Sequence, residues 1–178
     1  MTSAGGSSEA AAFWGFSLAC YGRGGVADAC LDLQDRRGLD VNMLLFCCYA
    51  AAAHGFAMSV KEVRAFEAVV APWQAEVIRP LRAARRALPA ALEGVRRPAI
   101  DSIKAKIKEA ELAAEEAEQA SLAALLAGRC DPVPSIAGVA LGIAGHNLRA
   151  YLSSRGHALE AADEKALGAI LAGCFSQP

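Results

Sequence analysis

Leu33-Gln34-Asp35-Arg36-Arg37-Gly38-Leu39-Asp40-Val41-Asn42-Met43-Leu44-Leu45-Phe46 holds a helix end, a tight turn and a new helix start. Gly38 is placed to stop the first helix in the left-handed conformation that glycine tolerates best. Asp40 is placed to cap the next helix through its side-chain oxygen. That next helix, Val41 to His54, is apolar nearly all round, so it belongs at the centre of a bundle rather than on its surface. Gln34, Asp35 and Asn42 lie beside this core and need hydrogen-bond partners.

Working outward, Ser8 is expected to cap a first helix ending near Tyr21, with Phe13, Phe16, Ser17, Cys20 and Tyr21 on one side and Trp14 and Leu18 widening that face. Gly22-Arg23-Gly24-Gly25 makes a turn, and a second helix spans about Val26 to Arg37. Gly55 ends the central helix, and Ser59 with Glu62 forms a capping box for a fourth. Pro72 is expected to break or kink the path before Trp73 to Leu88, with Pro80 as a further bend. Pro98 opens a long helix to about Leu126. Two more helices follow, from Ser135 to about Ser154 and from about Leu159 to Cys174. No strand periodicity occurs, so the fold class is all-α: a single-domain helical bundle of about seven helices with one long helix. Residues 1–8 are read as a disordered tail, 9–127 as the helical core, 128–134 as a linker and 135–178 as a C-terminal helical pair packed on the core.

Composition excludes several function classes. The chain has 178 residues and a formal charge of −1, which does not provide the positive field of a nucleic-acid binder. Met1 to Ser8 lacks the basic and apolar regions of a signal peptide. Val41 to Val60 carries no formal charge, but the break at His54-Gly55 leaves a helix of about fourteen residues, too short to span a bilayer. Six cysteines without a C-x-x-C pair suggest buried thiols in a reducing cytoplasm. No histidine has metal-ligand spacing with a cysteine or acid, so neither metal nor cofactor is expected.

Three constellations bear on function. Asp28, Asp32 and Asp35 share one helix face, but that face points away from the core, so it reads as solvated surface rather than a magnesium site. Arg79, Arg82, Arg85 and Arg86 form a basic face suited to an anion or an acidic protein partner. If the long helix folds back, Arg86 is expected level with Asp101, and Arg79 level with Glu109. The third constellation is a corner of Tyr21, Gln34, Asp35, Asn42 and Trp73, which either ties the turn to its neighbours or lines a pocket. The seam Ile100, Ile103, Ile107, Ala110, Ala114, Ala117, Ser121 and Ala124 is expected to pair the long helix, inside the chain in preference to a homodimer. Gly138 and Gly142 are spaced for close helix packing.

The blocks Phe13-Trp14-x-Phe16-Ser17-Leu18-x-x-Tyr21, Gly25-Val26-x-x-x-Cys30-Leu31-x-Leu33-Gln34-Asp35 and Gly38-x-Asp40-Val41-Asn42-x-Leu44-Leu45-Phe46 resemble a bacterial family of small helical proteins of unknown function. Pro72-Trp73-x-x-x-Val77-x-x-Pro80-Leu81-Arg82-x-x-Arg85-Arg86 looks like that family's second block, and Glu111 falls in a third. The resemblance covers about Phe13 to Leu126. It implies a helical fold and a bacterial cytoplasmic setting, and it transfers no catalytic residue. The sequence therefore favours a non-enzymatic interaction or adaptor protein that uses the arginine face. The alternative is a small-molecule-binding protein or enzyme with a pocket at the Gln34-Asp35/Asn42 corner.

Overall fold

The structure, a computed structural model, describes residues 3–91, 93–126 and 137–176. The order is α1 (Ser3–Tyr21), α2 (Val26–Arg37), α3 (Val41–His54), α4 (Val60–Trp73), a π-helical turn (Gln74–Ile78), α5 (Arg79–Ala87), α6 (Arg97–Leu126), α7 (Ala137–Ser154) and α8 (Ala161–Phe175). α4, the π turn and α5 form one unbroken rod, so the bundle has seven helical rods among the described residues, with no strand. The expected linker at 128–134 lies outside the described residues.

Local chemistry sets the boundaries. Gly38 (φ 64°) and Gly55 (φ 58°) end α2 and α3 in the left-handed region. The Asp40 side chain accepts from the Asn42 N–H at the start of α3. Ser59 and Glu62 form the reciprocal capping box of α4. α1 begins at Ser3 rather than at a Ser8 cap.

Pro72 does not break the fourth helix. The distortion falls between the two prolines, where the Arg79 N–H reaches the Gln74 carbonyl in a widened turn. Pro80 has no N–H for the Glu76 carbonyl, and its ring crowds that carbonyl in an ordinary helix. The extra residue in the turn before it relieves that conflict.

Every residue from Asn42 to Ala51 is buried. α1, α2, α6 and α7 pack around α3. Phe13 stacks on Tyr49 (4.8 Å) and meets Phe46 edge-on, and Phe46 in turn meets Phe66 edge-on. The fully buried Asn147 of α7 staples the α3–α4 loop: its Oδ1 accepts from the Met58 N–H, and its Nδ2 donates to the Cys47 and Phe56 carbonyls. The five described cysteines are buried and free.

Two packing expectations are corrected. Nothing lies within 4 Å of where a Cβ would stand at Gly138 or Gly142 among the described residues. The close approach is at Gly173 of α8, where a Cβ would overlap the Val26 side chain of α2. The long helix is also rotated from its expected face. Ile103, Ala110, Ala117, Ser121 and Ala124 are exposed, while Glu111, Glu118 and Gln119 are buried beside Ala114 and Leu122. Acid and amide side chains point inward because α1, α3 and the α4–α5 rod supply partners for them.

Candidate functional site

The inward face of α6 anchors two connected polar centres. At the first, Glu118 is 1 % exposed, and its Oε2 accepts from Asn42 Nδ2 (2.5 Å) and from Gln74 Nε2 (2.8 Å). The π turn puts Gln74 there. Asn42 Oδ1 accepts from Gln119 Nε2 (2.8 Å), and Gln119 Oε1 accepts from Ser17 Oγ (2.8 Å). The chain of bonds thus crosses from α1 through α6 and α3 to the π turn. Glu118 Oε1 and Asp40 Oδ2 are buried without another partner, and the two carboxyl groups meet each other. Burial, then the Asp40 charge, pushes Glu118 up to about 9, and burial raises Asp40 as well. Two acids in contact cannot both ionise cheaply, so the pair holds one proton at neutral pH, chiefly on Glu118.

At the second centre, Arg82 donates from Nε to Glu111 Oε1 (3.0 Å), from one terminal nitrogen to Gln34 Oε1 (2.5 Å), and from the other to Glu115 Oε1 (2.9 Å). Arg85 Nε reaches Glu111 Oε2 at 2.6 Å. Burial opposes ionisation of Glu111, but the Arg85 and Arg82 bonds outweigh it and hold its carboxyl below the usual range. Burial raises Glu115 despite its Arg82 bond.

A cavity of about 330 Å³ opens against this second centre. α1 contributes Trp14, Ser17, Leu18 and Tyr21, α2 contributes Leu31 and Gln34, and α3 contributes Val41 and Leu45. The rest of the lining comes from α5 with Arg82, Arg85 and Arg86, and from α6 with Lys108, Glu111, Leu112 and Glu115. One side is therefore apolar and aromatic, and the other carries four cations against two acids. Leu18, Leu31 and Leu112 are exposed by 53, 40 and 47 %. Large apolar side chains left open to water in a concavity are a ligand-site signature.

The expected corner is split. Tyr21 and Gln34 line the cavity. Asn42 sits behind it in the buried network, and Asp35 is exposed, with Arg86 at 3.6 Å. The indole N–H of Trp73 donates to the Ala114 carbonyl (2.9 Å), so that ring lies on α6. Of the arginine face, Arg82 and Arg85 turn into the site, Arg86 stays exposed, and the exposed Arg79 side chain has no ion pair or hydrogen bond among the described residues. The expected Arg86–Asp101 and Arg79–Glu109 pairings do not occur: Asp101 pairs with Arg97 instead, at 3.8 Å. Asp28, Asp32 and Asp35 are all exposed, as expected of a solvated face, and Asp32 makes a surface pair with Arg36 at 2.7 Å.

Glu111 falls in the third block of the family resemblance without a role given to it, and Glu115, Glu118, Gln119 and Gln74 are not singled out by sequence. Their signal was available: Glu111, Glu115 and Glu118 recur at i, i+4 and i+7, which puts three acids on one face of α6 to match the arginines of α5. Among the described residues no group of three or more His, Cys, Asp or Glu side chains is arranged to hold a metal, and no helix is long and apolar enough to cross a membrane.

The fold and site define a small all-helical, single-domain protein with an arginine-rimmed amphipathic cavity over a buried polar network. The chain belongs to the family described as protein of unknown function (DUF2390), which matches residues 12–122 and so contains every residue named at both centres. No curated protein and no solved structure matches the chain.

Proposed function

We propose that this protein binds a small amphipathic anion in the 330 Å³ cavity, apolar body against α1 and α3 and acidic head toward Arg85, Arg86 and Lys108. The carrying observation is the division of that cavity into an apolar wall and a cationic one. A volume near the lower end of ligand pockets suits a compact molecule, such as a medium-chain or aromatic carboxylate. Arg82 and Arg85 are held by Glu111 and Glu115, so the cationic wall is ordered before the ligand arrives. Lys108 is exposed and unpaired among the described residues, which leaves it available to the head group.

Calorimetric titration with octanoate, octanol and octylamine tests this reading. Saturable binding is expected for octanoate, weaker binding for octanol and none for octylamine. Lys108→Glu and Leu112→Asp, both at exposed positions, are expected to weaken octanoate binding by about tenfold, the loss of one favourable contact. Equal affinity for all three probes, or unchanged affinity in both variants, contradicts it.

The arginine face as a docking surface for an acidic protein partner is a second reading, supported by the exposed and unpaired Arg79 together with Arg86. It predicts salt-sensitive association that Arg79→Glu with Arg86→Glu abolishes. A homodimer through the outward seam of α6 is a variant of it, and concentration-independent monomeric sedimentation excludes that variant.

A further inference from the structure

A second cavity, of about 220 Å³, shares Gln34 and Arg82 with the first but has the opposite character. Its wall includes three guanidinium groups, from Arg79 and Arg82 on α5 and from Arg155 just after α7. Leu39 is its one large apolar contributor, and that side chain is itself buried. Two carboxamides, Gln34 and Gln74, complete the polar lining.

The donor count exceeds the acceptors on hand. The Arg79 guanidinium has no partner among the described residues, Arg155 gives one terminal nitrogen to Glu67 (3.0 Å), and the three nitrogens of Arg82 are taken by Glu111, Gln34 and Glu115. Gln34 must turn its oxygen to Arg82, which leaves its NH₂ pointing elsewhere, unbonded among the described residues. The lone acid in the wall is Asp40, and its oxygens are committed. Oδ1 caps α3, while Oδ2 is buried in the contact with Glu118. Arg82 is already neutralised by Glu111 and Glu115, and Arg155 by Glu67, but the Arg79 fork, the remaining N–H groups of Arg155 and the Gln34 NH₂ are donors that no acid of this wall takes up, and together they form an anion site.

We propose that this second cavity binds a phosphate group, either as the free ion or as the end of a small phosphomonoester. A carboxylate has two oxygens in one plane, and a single guanidinium fork satisfies both. Forks converging from α5 and from the end of α7 suit a tetrahedral group with more oxygens and more charge. The cavity is smaller than the usual range for drug-sized ligands, which keeps the occupant small. This site stands independently of the amphipathic-anion cavity, because its distinguishing residues, Arg79 and Arg155, do not line that cavity.

The test is calorimetric titration of the full chain with inorganic phosphate, glycerol phosphate and acetate at matched ionic strength. Saturable binding of at least one phosphate compound is expected, with acetate far weaker. Tighter binding of the ester identifies the phosphate as a terminal group, and tighter binding of the ion identifies free phosphate. Arg79→Gln removes a side chain without partners, so the fold should survive, and phosphate affinity should fall about tenfold while octanoate binding is unchanged. Arg155→Gln, with folding checked by circular dichroism, should weaken phosphate binding in the same direction. No saturable binding of either phosphate compound, equal binding of acetate, or full affinity in Arg79→Gln overturns the proposal.

Discussion

Glu118 and Asp163 are both shut off from solvent, yet their surroundings drive them in opposite directions. Asp163 caps α8 by accepting from the Glu160 N–H and takes a two-pronged bond from Arg37 (3.0 and 2.7 Å), with Arg36 at 3.0 Å. It is covered by its own cationic partners at the edge of the α2–α8 contact. Those bonds, Arg37 first, hold it down to about 2. Glu118 lies deep among neutral amides and beside a second acid, and burial with the Asp40 contact pushes it up to about 9. Inaccessibility alone therefore decides neither ionisation nor role. The charge of the covering group decides, making one acid a clamp and the other a proton holder.

The largest expected effect comes from breaking the Glu118 side. Asn42→Leu removes a donor to Glu118 and the acceptor for Gln119 in a fully buried setting. A loss of about 3 kcal/mol in urea unfolding is expected, because the buried Gln119 amide is left without its acceptor and Glu118 Oε2 keeps only the Gln74 donor. On the clamp side, Asp163→Asn should cost about 2 kcal/mol at pH 7, the scale of charge-assisted bonds. The folded pKa there is depressed, so the contribution is present above the ordinary value of 3.8 and fades as pH falls toward about 2. Acid unfolding curves of the two proteins should converge across that window.

Glu118→Gln sharpens the contrast. The folded pKa is raised above the ordinary 4.5, so the native state retains a proton that the unfolded chain releases. The contribution of Glu118 is full below pH 4.5 and declines as pH rises to about 9. Glutamine keeps an oxygen for Asn42 and Gln74 and offers an NH₂ to Asp40. The variant should therefore gain on the wild type progressively between pH 5 and 9 in thermal or urea unfolding. A parallel pH profile would show that the pair holds no proton. At the small end, Asp35→Asn removes an exposed partner 3.6 Å from Arg86 and should change stability by less than about 0.5 kcal/mol.

What the sequence makes legible is local. Gly38, Asp40, Gly55 and the Ser59–Glu62 box act on backbone within a turn of themselves, and each lies where its chemistry predicts. The uniform apolarity of Met43 to Ala51 likewise identifies the central helix. The inward face of α6 is not legible this way. Apolar periodicity selects Ile103, Ala110 and Ala117, while burial of Glu111 and Glu118 depends on Arg82, Arg85, Asn42 and Gln74, which lie far off in sequence. Gln74 itself reaches Glu118 from a π turn that follows from Pro80, a distortion that helical periodicity does not encode. The cavity was half legible: Tyr21 and Gln34 mark its edge. Asp35 and Trp73 lie near them in angular projection but are drawn away by Arg86 and the Ala114 carbonyl.

The central claim is that the cavity between α1, α3 and the α5–α6 wall takes an amphipathic anion. Of the chain's two tryptophans, Trp14 lines that cavity and Trp73 does not. In a Trp73→Phe protein the emission of Trp14 becomes a direct reporter of occupancy. Titration with octanoate should give a saturable blue shift as the apolar chain displaces water from the ring, and Lys108→Glu should move the midpoint to higher concentration. A Trp14 spectrum that stays unchanged through octanoate concentrations that saturate calorimetric binding would place the ligand elsewhere and contradict the account.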